Sequence, residues 1–233
     1  MSKLNLIMVL LFLLPLGLVG WAQTRVRTIF SQADQIENAE HINGYDAARQ
    51  LLDQAGLHSI AVVVGGSLTV GDAYDPFEKK LMITQRTASR HTDLSVGVVG
   101  HEVGHATQDA QGYPLMRLRK RLARWLIQLS WISPIVFIGG FFLGIVLFMW
   151  VAVGIMALEV VFAFVTLPVE IDASRRAVEL LERGHVIVMS EERIVRRVLR
   201  AAAYTYLASA GLRVAFFLLW FIVLVAATGL KLP

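Results

Sequence analysis

The 233-residue chain contains no cysteine. Thiolate metal sites, thiol nucleophiles and disulfides are therefore excluded, while no compartment is favoured, because a cysteine-free chain fits any of them. Charge is also scarce, with 17% Asp, Glu, Lys and Arg against 56% hydrophobic residues. A soluble domain is usually ~45–50% apolar and ~25% charged. The formal net charge of +4 is modest. The basic residues do not form a stripe interleaved with aromatics, so no nucleic-acid partner is expected. The apolar excess is gathered into a few long runs, which points to an integral membrane protein with the lipid bilayer as partner.

Residues 4–22 are apolar apart from Asn5, long enough to cross ~30 Å of hydrocarbon. With only Lys3 before the run and no small-x-small cleavage site before Gln23, the segment reads as an anchor rather than a removed signal. Residues 23–124 are polar. Within them the spacing predicts a helix over residues 45–55 ending at Gly56, strands over 60–64 (followed by Gly65-Gly66) and 79–84, and turn chemistry over 71–76. Residues 125–169 are almost continuously apolar, too long for one crossing at 1.5 Å per residue. Two helices near 127–148 and 151–167 are expected, with Pro134 or the Gly139-Gly140 pair as alternative bends. Residues 170–211 form a charged helical segment, with Ser190, Glu191 and Glu192 as a helix start and a helix over 193–210. Residues 212–233 supply the last crossing. The fold class expected is α+β, mainly α: a zincin-like domain fused to about four transmembrane helices.

A hairpin of two crossings returns the chain to the side it left, so residues 23–124 and 170–213 are expected to share one aqueous face. Those segments hold twelve and eight Lys/Arg, against only Lys3 and Lys231 elsewhere. The positive-inside rule then puts that face in the cytoplasm. The run of basic residues from Arg117 to Arg124, next to Trp125, reads as an interfacial anchor.

Residues 93–109 read as a helix and contain His101-Glu102-Val103-Gly104-His105. In this H-E-x-x-H pattern two imidazoles at i and i+4 share a helix face and can reach one metal, with the glutamate beside them as general base. The plain alternative is a solvated helix with two surface histidines. The neighbouring Val98, Val99, Gly100, Val103, Gly104 and Ala106 suit a packed helix better. Two glycines that each cost ~1 kcal/mol of helix propensity imply a close neighbour. A catalytic zinc takes three protein ligands and keeps a position for water. Without cysteine the third must be His, Asp or Glu. No further histidine follows at the H-x-x-G-x-x-H spacing, so a downstream carboxylate is expected, and Glu170 and Asp172 are the candidates. The alternative for both is pairing with Arg175 and Arg176.

These residues resemble a known family, the bacterial neutral zinc metallopeptidases, which are membrane proteases. Its Tyr-Asp-Pro turn, A-H-E-x-G-H-A helix, Gly-Tyr pair, apolar hairpin and T-L-P-V-E-x-D-A-S-R-R-A element match Tyr74-Asp75-Pro76, the stretch from Gly100 to Ala106, Gly112-Tyr113 and residues 166–177. The resemblance implies a membrane-bound zinc metalloendopeptidase of a bacterial inner membrane, acting on protein or peptide substrates. Gly100 stands where the family usually has alanine, and Ala73 where it usually has a histidine. Residues 170–174 are also similar to the E-x-x-A-D element of heat-shock-type membrane metalloproteases, which implies Glu170 as third zinc ligand. Ser174 takes the place of that element's aspartate, leaving Asp172 to support the site or to serve as the alternative ligand.

His41, His58, His91 and His185 lack metal-ligand spacing. Glu159 lies inside an apolar run, where a carboxylate is a functional candidate by default. Tyr204 and Tyr206 read as packing residues with oxyanion stabilisation as the alternative. Two rival readings are a silent scaffold with a structural zinc and a protease cutting within the bilayer. The polar run over residues 72–93 weighs against the second.

Overall fold

A computed structural model describes residues 3–65 and 71–229. Gly66 of the expected strand end, Lys231, and residues 230–233 of the expected last crossing lie outside the described residues. The protein is mainly helical, with a small sheet. In order the elements are α1 (Lys3–Ala33), α2 (Gly44–Gln54), β1 (Ala61–Val64), β2 (Ala73–Asp75), β3 (Lys80–Ile83), α3 (Gln85–Ser89), α4 (Asp93–Ala110), α5 (Pro114–Leu143), α6 (Val146–Arg183) and α7 (Met189–Thr228).

The chain forms two compact units. One holds residues 23–117 and 168–204, and the other holds the apolar parts of α1, α5, α6 and α7. In the first unit β3 is the central strand, parallel to β1 and antiparallel to β2. The valines of β1 and the apolar Leu81, Met82 and Ile83 of β3 form the strands expected over residues 60–64 and 79–84. β2 was hidden, because Asp75 and Pro76 read as turn chemistry although Ala73 and Tyr74 still pair with Met82 and Leu81.

α4 is the axis of this unit. Thr92 caps its N-terminus by accepting the Ser95 N–H, and Gly112 closes its far end at φ +65°, a conformation that suits glycine. A helix apolar all round belongs inside a core, and α4 buries residues on every face. Val96, Val99 and Val103 pack with Leu51 and Leu52 of α2, Leu81 and Ile83 of β3, Leu181 of α6 and Val195 of α7.

In the apolar unit three helices, α1, α6 and α7, are each long and apolar enough to cross a membrane. Four crossings were expected. α5 qualifies only if its halves Pro114–Leu126 and Gln128–Leu143, bent by 46°, count as one span. The reason is physical. The first half carries the Arg117–Arg124 charges, and the apolar second half alone is short of the ~17–25 residues a crossing takes. The break falls near residue 127, not at Pro134 or Gly139-Gly140. The α5–α6 turn is earlier than residues 149–150, at Gly144 (φ +69°) and Ile145. α7 is one helix of 40 residues, so the expected charged helix and last crossing are continuous.

Candidate metal centre

His101 and His105 sit one turn apart on α4, their ring centroids 4.7 Å from each other. Glu170 comes from α6, just after Pro168, which the helix accommodates. Its Oε2 lies 3.0 Å from His101 Nε2 and 3.4 Å from His105 Nε2. One ligand atom from each of the three residues lies within 4.8 Å of the others. All three are buried, Glu170 to 1% exposure.

α4 and α6 come this close because of their small residues. A Cβ on Gly104 would stand 2.5 Å from the Ala173 carbonyl oxygen, and one on Gly100 would stand 2.9 Å from Leu181 Cδ1. Gly104 thus lets backbone approach backbone, and this contact sets the spacing between the histidines and Glu170.

The outer nitrogens of both rings are also held. His105 Nδ1 lies 3.0 Å from Gln108 Oε1. Gln108 Nε2 donates to the Val169 carbonyl (2.8 Å) and to Asp172 Oδ2 (2.9 Å). The amide nitrogen being committed, Oε1 must accept, so His105 Nδ1 carries the proton. In neutral His105 the lone pair then sits on Nε2 and faces the Glu170 carboxylate. Two acceptors facing each other in a buried site call for a cation or a proton between them. Two imidazole nitrogens and one carboxylate oxygen form a donor set suited to zinc. The three residues fit the metal that their pattern implies. Ser174 Oγ stands 3.2 Å from His101 Nδ1, completing the support of both rings.

Glu102 points elsewhere. Its Oε2 accepts the backbone N–H of Tyr74 in β2 at 2.8 Å. Burial pushes its carboxyl up to about 7, opposed by His101 and the Tyr74 N–H, with the Glu170 and Asp72 carboxylates adding to the rise. Ala73 opens β2 immediately before that N–H. The Tyr74 hydroxyl donates to Asp109 Oδ2 at 2.9 Å, and Lys79 pairs with the same oxygen. Burial, then Asp109, raises the Tyr74 phenol, so it remains a donor.

Asp172 is not among the three clustered ligands. It takes hydrogen bonds from Arg175 (2.7 Å) and Arg176 (2.6 Å) as well as Gln108, and among the described residues its link to the centre runs through Gln108. Sequence reasoning missed Gln108, for which the available signal was its position three residues after His105 and so on the same helix face. It placed Ser174 at the aspartate position of the E-x-x-A-D element but gave it no role. His58 pairs with Asp53, and His41 with Glu37, both at the surface.

Comparison with known proteins bears on this geometry. Residues 7–225 match the family described as "Putative neutral zinc metallopeptidase". The chain is 33% identical over 206 residues to "Putative membrane protease YugP" of Bacillus subtilis (strain 168), covering 88% of this chain and 91% of that one. No solved structure matches. A family match over nearly the whole length, around a buried two-histidine, one-glutamate cluster, places this chain in the neutral zinc metallopeptidase family.

Proposed function

We propose that the protein is a membrane-bound zinc endopeptidase in which His101, His105 and Glu170 hold the metal and Glu102 is the general base. The observation that carries this reading is the convergence of those three side chains, two from one α4 face and one from 69 residues away, beside a carboxylate engaged by a single N–H among the described residues.

Zinc bound there would supply Lewis-acid polarisation of the scissile carbonyl and a water of lowered pKa. The protein's own groups do the rest. The Tyr74 N–H fixes Glu102 Oε2, leaving Oε1 to take the proton of the attacking water and pass it to the leaving amine. Gln108 holds His105 with Nε2 turned inward, so no reorganisation is needed for it to act as ligand. Val98, one turn before Glu102 on α4, lines a cavity of about 640 Å³ with Asp72, Thr84 and Arg90.

Substrates are proteins or peptides near the membrane surface. The chain is a multi-pass membrane protein, with the bent α5 as the fourth crossing and a zincin-like site facing the cytoplasm. The twenty Lys/Arg of residues 23–124 and 170–213 support this orientation. The direct test measures bound metal and casein cleavage for the wild type, Glu102→Gln and Glu170→Ala. Zinc retained without cleavage in Glu102→Gln, and zinc lost in Glu170→Ala, are the expected results. A wild type that binds zinc and cleaves nothing would make the protein a silent scaffold.

A further inference from the structure

We propose that the apolar unit binds a zwitterionic phospholipid, of the phosphatidylethanolamine class, in a cavity between α5, α6 and α7. The cavity measures about 470 Å³, and polar and apolar groups line it at different levels. At one level Glu159 of α6 accepts from Ser133 of α5 (3.3 Å) and pairs with Arg213 of α7 (3.2 Å). One to two turns further along α7 lie Phe216, Phe217 and Trp220. Trp220 packs on Phe137 with ring centroids 4.5 Å apart, and Phe137 belongs to a buried cluster with Met149 and Leu224.

The order matches a lipid. Arg213 is the last charged residue of α7, with only uncharged residues from Val214 to Thr228 beyond it, so the polar level lies on the side of the aromatic level nearer the charged part of the helix. From Arg213 to Trp220 the helix advances ~10 Å, giving an acyl chain an aromatic wall.

Charge selects the headgroup. An ion pair among apolar helices is costly to desolvate and marks a functional site by default. Here Glu159 is 14% exposed while Arg213 remains 38% exposed. The guanidinium has five N–H donors, and its described bond to Glu159 uses one. A phosphate can bond the rest in the fork geometry that arginine favours. The ammonium of the same headgroup can meet Glu159. A purely anionic headgroup would answer Arg213 but bring no cation of its own to the neighbouring Glu159 carboxylate.

The test is native mass spectrometry of the full-length protein in detergent, titrated separately with phosphatidylethanolamine and phosphatidylglycerol. One saturable phosphatidylethanolamine adduct is expected, with weaker phosphatidylglycerol binding. Arg213→Ala should weaken both lipids by about tenfold, the loss of one charge-assisted contact. Glu159→Gln should weaken phosphatidylethanolamine alone. Because breaking a buried pair can unfold its surroundings, Ser209→Trp is the companion variant. It fills the cavity from an exposed lining position and should abolish the adduct with thermal stability intact. Equal binding of the two lipids, an adduct unchanged in Ser209→Trp, or a lipid-independent dimer seated on this face would each overturn the proposal. Zinc content is read on the same samples, so failure here stays distinct from failure of the peptidase reading.

Discussion

Gln108 makes three bonds with one amide, and each has a consequence for the metal. Its Oε1 sets the tautomer of His105, while its Nε2 ties α4 to Val169 and Asp172 of α6. Replacing it with leucine keeps the volume and removes all three. Zinc affinity should fall ~10–100-fold, the usual cost of losing such a support, as read by chelator competition. Glu102→Gln should behave differently, with zinc affinity held and peptide cleavage lowered ~10²–10⁴-fold. The histidine pair was legible in the sequence because i and i+4 define a face without any tertiary information. Glu170 was legible as a carboxylate after a hairpin. Gln108 was not, and Ser174 was seen only as a departure from an aspartate, because their roles exist only once the α4–α6 register brings Val169, Asp172 and His101 to them.

The α4–α6 contact makes the two glycines of the motif helix unequal. In Gly104→Ala the new methyl meets the Ala173 backbone, which cannot rotate away. A loss of ~1–3 kcal/mol, typical of overpacking, should appear as a lower thermal midpoint. In Gly100→Ala the neighbour is a Leu181 methyl at the end of a flexible side chain. Helix propensity gains ~1 kcal/mol there, so the midpoint should move far less. The start of α4 holds a second test. Asp93 is fully buried, and burial, with Glu191 nearby, pushes its carboxyl from 3.8 up to about 7. A folded-state pKa above the unfolded one means that the folded chain binds more protons between those values, so stability falls as pH rises from about 4 to about 7. Thermal midpoints of the wild type at pH 5 and pH 8 should show this decline, and Asp93→Asn should flatten it. At this scale the sequence conveyed helices and β-branched strands. It did not convey β2, which pairs through backbone groups, or the α5 bend, which no proline or glycine marks.

A chain without cysteine is its own background for topology mapping. Single cysteines at Glu40, in an exposed loop, and at Leu143, 71% exposed beside the α5–α6 turn, should label from opposite sides of the membrane. An impermeant maleimide added to intact cells should reach residue 143 and not residue 40. Labelling of both, or the reverse, would discard the cytoplasmic site. Hydropathy and charge led to the expectation of two apolar runs returning the chain to its starting side, which this labelling tests. Span counting was less so, because α5 carries its basic residues on the same helix as its apolar half. The unit that carries the candidate metal centre has a core of its own, built from α2, β3, α4, α6 and α7 around Leu51, Leu81, Val99 and Leu181. That core owes nothing to a metal, and Gly104 rests on the Ala173 carbonyl rather than on any ligand. The two helices that present the ligands are thus spaced by main chain against main chain, a contact with no rotamer to relax. A protein stripped by chelator should keep its helical circular dichroism and recover activity on simple return of zinc, without refolding. Cobalt should enter the same preformed socket. On the proposed reading, the metal is a replaceable part.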